Sequence, residues 1–391
     1  MNNLSFVKPT GPEWIDLIRS ELASGRLEDA LWWQSPEGWR VRAFYQREDT
    51  PKDLLPVISR PGGSPWDMRR PVLWSGEWPK PQEETSLAVA LPGERGDFDE
   101  RRLIARSERA GRADLRLVPG SRFVDMLGGL SETGAAALLS VEFDPSRYLD
   151  PHEITVARRS FLTARERHDR RIRWFYCDAV TGSGSPAAGP ATALAYAFAS
   201  ASSWISAGRE AGVPLPDLAS GLLIALPAHR SYFATVASFR AARIGVARLF
   251  EAWGGSAAEA SVVPVHGLVS TASMEAEDGD VNLIRATVQL AAAVVGGCDA
   301  VQIDAPPGDR FWRTERLYAN LHHLLRDEGH LHEVADPSAG AWYVEQLTRL
   351  IGETAWAAFA QVEARFDDLR PAARAAAVER AVLDSAQEDR S

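Results

Sequence analysis

Lysine is nearly missing from these 391 residues. Lys8, Lys52 and Lys80 are all there are, and arginine supplies the remaining basic charge. We read this as coding bias without functional content. Positive charge is also in deficit overall: the net charge is -10, which excludes a nucleic-acid role, because binding phosphates requires a basic surface. Cysteine is scarce. Cys177 and Cys298 both fall in apolar, strand-like runs, so they read as reduced core residues and not as a disulfide framework. No apolar run approaches the roughly eighteen residues that a membrane span needs, and the N-terminus lacks a signal-peptide pattern; the expectation is a cytoplasmic chain. What remains is globular composition, 45% hydrophobic and 25% charged, long enough for one large domain with an appendage.

The most informative stretch runs from Val281 to Pro306. Leu283, Ile284, Thr287, Val288, Ala291, Val294 and Val295 recur at spacings of three and four, which predicts a helix with one apolar face. Gly296 and Gly297 end that helix, since glycine enters a left-handed cap without steric cost. Ala300, Val301 and Ile303 then form a buried strand. A helix joined to a strand by a glycine turn is the repeating unit of an α/β barrel or a doubly wound sheet.

Eight such strands are predicted: Val72–Trp74, Ser86–Leu91, Ala113–Val118, Ala136–Phe143, Ile172–Cys177, Gly221–Leu226, Ser261–Val265 and Cys298–Ile303. Helical patterns follow most of them, over Asp99–Ala110, Pro151–His168, Ala191–Ala211, Tyr232–Trp253 and Val281–Val295. The fold class is therefore α/β, a TIM-type (β/α)8 barrel, with the unit between the first two strands eroded. Residues 1–60 do not follow this rhythm. They read as an arm: an amphipathic helix over Pro12–Leu31, then a tryptophan-rich hairpin around Ser35-Pro36-Glu37-Gly38. That arm either packs on the barrel's own base or contacts another subunit. Pro61–Pro65 is a linker, residues 61–370 the barrel, and a helical stripe from Ala341 a capping helix. Residues 371–391 form a polar helical tail expected to fray.

Three motifs resemble the methylmalonyl-CoA mutase family, in family order and spacing. The Val281–Pro306 stretch resembles its NN(I/V)xRTxxEAxAAVxGGTQSLHTN. Asp336 to Thr348 (DPSAGAWYVEQLT) is similar to its DPWGGSYYVExLT, and Phe239-Arg240-Ala241-Ala242-Arg243 to its KLRAAR. The resemblance implies a barrel that binds acyl-CoA, with adenosylcobalamin held by a separate C-terminal domain through the His of a DxHxxG motif. This chain ends where that domain would start. Asp150-Pro151-His152 has Thr155 in place of the glycine, so those residues read as a helix entry.

The substrate side departs from the family as well. Pro65 to Pro71 resembles PWTIRQY, keeping Arg69 but placing Pro71 at the tyrosine. Gly182 stands where GYHMQEAGA has its His, and Gly221-Leu222-Leu223 replaces RLS. Leu268-Val269-Ser270-Thr271 replaces QTSG, although the preceding His persists as His266. Arg69 and His266 are thus the expected substrate-binding remnants, with no catalytic residue and no metal ligand. The histidines at 322, 323, 330 and 332 read as a solvated helix end in preference to a metal site, because Gly329 interrupts them. Arg243 reads as a structural ion pair at the barrel rim in preference to a ligand contact. Gly182-Ser183-Gly184 is a weak phosphate-loop fragment.

The expectation is a non-catalytic small subunit of an adenosylcobalamin-dependent mutase. The cofactor and the interconversion of methylmalonyl-CoA and succinyl-CoA would reside on a large partner chain. The alternatives are an active acyl-CoA mutase barrel served by a separate cobalamin-domain protein, and a scaffold or regulatory protein that kept the fold.

Overall fold

The computed structural model describes residues 10–22, 31–49, 64–73, 85–90, 101, 104–105, 113–116, 130–168, 172–182, 189–269, 274–275, 279–304 and 311–388. The arm supplies helix α1 (Gly11–Glu21), started by a capping box of Thr10 and Glu13, and an antiparallel hairpin of β1 (Trp32–Gln34) and β2 (Arg40–Arg42). The parallel strands that follow are β3 (Asp67–Leu73), β4 (Thr85–Ala90), β5 (Ala113–Arg116), β6 (Leu138–Glu142), β7 (Phe175–Asp178), β8 (Leu222–Pro227), β9 (Val265–Val269) and β10 (Ala300–Ile303). Their order is β6-β5-β4-β3-β10-β9-β8-β7. A parallel bridge between Ser140 and Arg173 joins the two ends, with Val141 N donating to Arg173 O at 2.9 Å and Arg173 N to Leu139 O at 2.9 Å. The sheet is closed, and the fold is the eight-stranded barrel that the spacing predicted.

The long helices outside the sheet are α2 (Pro151–Arg167), α3 (Pro190–Glu210), α4 (Tyr232–Ala252), α5 (Gly279–Val295) and α6 (Phe311–His323); α7 (Trp342–Val362) and α8 (Pro371–Glu388) follow. Helix α7 packs across α3 and α4, as a capping helix would. The strand run Leu222–Pro227 is buried throughout and nearly all apolar, as expected where helices cover one face and the lumen the other. Of the predicted helix over Asp99–Ala110 only 101 and 104–105 are described, and they are helical; most of the linker and the segments 183–188 and 270–273 lie outside the described residues.

Two expectations change in detail. Helix α5 buries only part of the face read from its spacing: Val294 is buried, together with Asn282, Ala286, Gln289, Leu290, Ala292 and Ala293, while Ile284 is 64% and Val288 40% exposed. Where the helix comes closest to the sheet the contact residue is small: a Cβ on Gly267 would meet Ala293 Cβ at 3.3 Å. Helix α8 is not frayed over its described length. Val378 and Val382 are fully buried, and Arg374 donates to the carbonyls of Phe366, Leu149 and Asp367 at 2.8–3.1 Å and to Ser146 O.

The three motifs meet at two buried arginines. Arg240 of α4 makes a two-pronged contact with Asp336 (3.0 Å each), and reaches Glu345 Oε1 at 2.8 Å and Thr348 Oγ1 at 3.2 Å. Arg243, one turn later, pairs with Asp299 at 2.6 Å and donates to Gly297 O at 2.8 Å. Asp299 Oδ2 in turn accepts from Val265 N at 2.7 Å, so one carboxylate aligns the starts of β9 and β10. Gly297 holds φ +88°, and Gly296 lies so close to α4 that an added Cβ would meet Val236 O at 2.9 Å. The pair of glycines serves as a cap and a close approach.

Truncating Arg240 leaves Asp336 and Glu345 buried without their cation, which typically costs ~3–5 kcal/mol. We expect Arg240→Ala to lower the urea midpoint by a corresponding amount in equilibrium unfolding. A midpoint unchanged from the parent would contradict this role.

Candidate functional site

The lumen is where a barrel of this kind has room for chemistry, and strand alternation decides what faces it. Met68, Cys177, Ile224, Val265, Val269 and Val301 are buried, and all but Met68 join the core beneath the helices. The residues between them point inward. Register places Asp178, Ala225, His266, Ala300 and Asp67 in one cross-strand row, and Leu268, Gln302 and Arg69 in the next. Arg69 and His266 therefore share the lumen face, separated by β10 and offset by one row.

The two halves of the lumen differ. On the β7–β9 side Tyr176, Val180, Leu223, Ala225 and Leu268 form an apolar cluster separate from the main core, each 7% exposed or less. On the other side Arg69 reaches over β4 to an ion pair with Asp114 of β5, and its Nε lies 3.2 Å from Asp67 Oδ2. Asp114, fully buried, also accepts from the hydroxyl of Ser140 on β6. Gln302 Nε2 donates to Asp304 Oδ1 at 2.5 Å. Arg69 is thus engaged by the chain's own carboxylates. Gly221 ends the short helix just before β8, where an added Cβ would meet the Phe175 ring at 2.7 Å; a larger residue there would displace that ring.

Acids gather at the C-terminal mouth. Glu142 ends β6, Asp178 ends β7 and Asp304 follows β10. Asp178 pairs with Arg147 at 2.8 Å. Asp144 behind it is fully enclosed: it accepts from Ser146 N, Asp178 N and Ser200 Oγ at 2.8–3.0 Å, and burial pushes its carboxyl above the usual range. Burial, reinforced by Asp144, likewise pushes the Cys177 thiol well up, leaving it unreactive. Arg158 joins this region to the C-terminal segment through Asp367 at 2.5 Å and Ser146 Oγ at 2.8 Å.

The arm sits at the same end as the mouth. Glu37, at the hairpin tip, accepts from Ala191 N (3.1 Å) and from Thr192 N and Oγ1 (2.7 Å each), capping α3 where Gly189 supplies no side chain. Trp39 donates to the same carboxyl at 3.1 Å and is buried with Val41. The hairpin thus docks on its own barrel at the strand C-terminal rim, and not at the base.

None of Asp114, Asp144 or Glu37 was read from sequence as part of a site. The only signals were an acid inside a predicted strand for Asp114 and an acid before proline for Asp144. Among the described residues no three His, Cys, Asp or Glu side chains are grouped to hold a metal. His322 is buried and accepts from Trp66 Nε1 at 3.0 Å through Nδ1, while His323 and His330 lie beside Asp327 and Glu333.

A family model described as methylmalonyl-CoA mutase matches residues 179–390. The chain belongs to the methylmalonyl-CoA mutase family. It is 27% identical over 389 residues to a methylmalonyl-CoA mutase small subunit of Porphyromonas gingivalis, covering 90% of this chain and 62% of that protein. It is 34% identical over 183 residues to a probable methylmalonyl-CoA mutase small subunit of Mycobacterium tuberculosis, 45% of this chain and 29% of that one. A methylmalonyl-CoA mutase small subunit of Propionibacterium freudenreichii subsp. shermanii matches at 29% over 182 residues, 45% of this chain and 28% of that one. The chain thus spans less than two thirds of the length of each of these relatives.

In this mutase-family barrel, the residues nearest to a cobalamin motif do not fit that cofactor. Asp150 caps α2 in a capping box with Glu153, and His152 is exposed in the first helical turn. No helix among the described residues is long and apolar enough to cross a membrane.

Burial, with the charges of His323 and Arg326 adding to it, pushes His322 down to about 3. An unfolded histidine titrates near ~6.5, so below that pH the unfolded chain takes up a proton that the folded chain refuses. Stability from this site is complete above ~6.5 and falls by ~1.4 kcal/mol per pH unit towards the lowered value. His322→Gln keeps an acceptor for Trp66 but cannot titrate. Its denaturation midpoint should fall less steeply than the parent's between pH 6.5 and 4.5; parallel slopes would contradict the assignment.

Proposed function

We propose that this chain is a non-catalytic small subunit of an adenosylcobalamin-dependent methylmalonyl-CoA mutase, with cofactor and turnover on a large partner chain. The observation that carries this reading is the self-occupied lumen. Arg69, the arginine that the resemblance assigns to the substrate side, is held by Asp114 and Asp67, and the opposite half is filled by Tyr176, Leu223 and Leu268. The names of the small-subunit relatives point the same way.

The contact surface of this subunit includes the outer side of the arm. Trp32 is 39% and Trp33 46% exposed, and α1 turns Leu17 outward at 55%. Aromatic side chains left in solvent beside a docked hairpin are the material of an interface.

Co-expression with a mutase large chain tests the reading. The two chains should co-purify, and the large chain's melting temperature should rise in the complex. A Trp32→Ser, Trp33→Ser double variant should weaken co-purification while leaving this chain folded. Failure to co-purify, with the large chain's stability unchanged, would remove the proposal.

A further inference from the structure

We propose that the lumen contains a carboxylate-binding site that the chain occupies itself, with Asp114 as the built-in ligand. Three observations support it. The Arg69 side chain is 10% exposed and the Asp114 side chain not at all, so the pair meets inside the barrel, away from water. The two residues sit on strands that are not neighbours, β3 and β5, so their contact crosses the lumen face over β4 and does not follow from backbone pairing. Ser140 of β6 adds a hydroxyl donor to the other carboxyl oxygen. A guanidinium and a hydroxyl converging on one carboxyl is the donor set of a carboxylate receptor. Here the receptor and its occupant belong to one chain, and the occupant excludes any free acid.

The site shares the Arg69–Asp114 contact with the subunit assignment above, but its test reads this barrel alone and does not depend on a partner chain. Removing the Asp114 carboxyl leaves Arg69 with Asp67 alone and opens a space of carboxylate size on its other side. A small free carboxylate can then enter and restore the lost pairing. Acetate is the probe, and chloride at equal ionic strength is the control.

The melting temperature of Asp114→Ala should fall below the parent's and then rise saturably with acetate, by a few degrees, with no comparable rise in chloride. The parent, whose site is filled, should not respond to acetate, and neither should Asp114→Asn, which keeps the space occupied. The double variant Arg69→Ala, Asp114→Ala lacks the receptor and should not respond. Should Asp114→Ala fail to accumulate folded, its refolding yield in acetate against matched chloride reads the same quantity. Equal responses in the parent, the single and the double variant would overturn the proposal, as would no acetate response in a folded Asp114→Ala.

Discussion

Closing eight parallel strands into a barrel sends every second side chain inward, and that interior must be filled to ordinary protein density. The filling is therefore the constraint on which everything else depends. This chain meets it with its own groups: an apolar cluster on one side and the Arg69–Asp114–Ser140 contact on the other. A buried ion pair recovers its desolvation cost only when both partners are well satisfied. Ser140 donates to the second Asp114 oxygen, and Asp67 sets a second carboxylate beside Arg69. On the reading proposed above, these groups make the lumen a structural core and not a substrate channel.

Outside the sheet, the family's most recognisable sequence motifs prove to be devices for holding helices on strands. Arg240 draws Asp336, Glu345 and Thr348 together, which fixes α7 against α4. Arg243 and Asp299 set the entry of β9 and β10. These contacts make no demand on the lumen. That separation lets the motifs hold the helices whatever the lumen contains. Two further anchors act at the ends of the chain: Glu37 caps α3 from the arm, and Arg374 ties α8 to the loop after β6.

Much of this was legible in the sequence, for local reasons. Strand and helix alternation depends on side-chain periodicity over a few residues, so the number of strands and the helices α2 to α5 were legible, while β3 begins five residues before its expected start and β9 four residues after. Arg243 could be read as structural, because a cation in an apolar helical stripe needs a partner. The remainder depends on geometry that spacing does not encode. The inner face of α5 turns on how the helix lies on the sheet: Ala293 meets Gly267, and Leu290 and Gln289 are buried while Ile284 and Val288 stay exposed. The capture of Arg69 by Asp114 depends on the stagger of strands that are not sequence neighbours. Arg374 looked like surface charge in an alanine-rich tail, and only its burial among four carbonyls shows otherwise.

The most direct test of the central claim, that the lumen is occupied by the protein's own side chains, is calorimetric titration of methylmalonyl-CoA into the purified chain. The account predicts heats no different from dilution at every ligand concentration. Saturable binding, abolished by substituting Arg69 or Leu223, would contradict it and return this barrel to the substrate-binding members of its family.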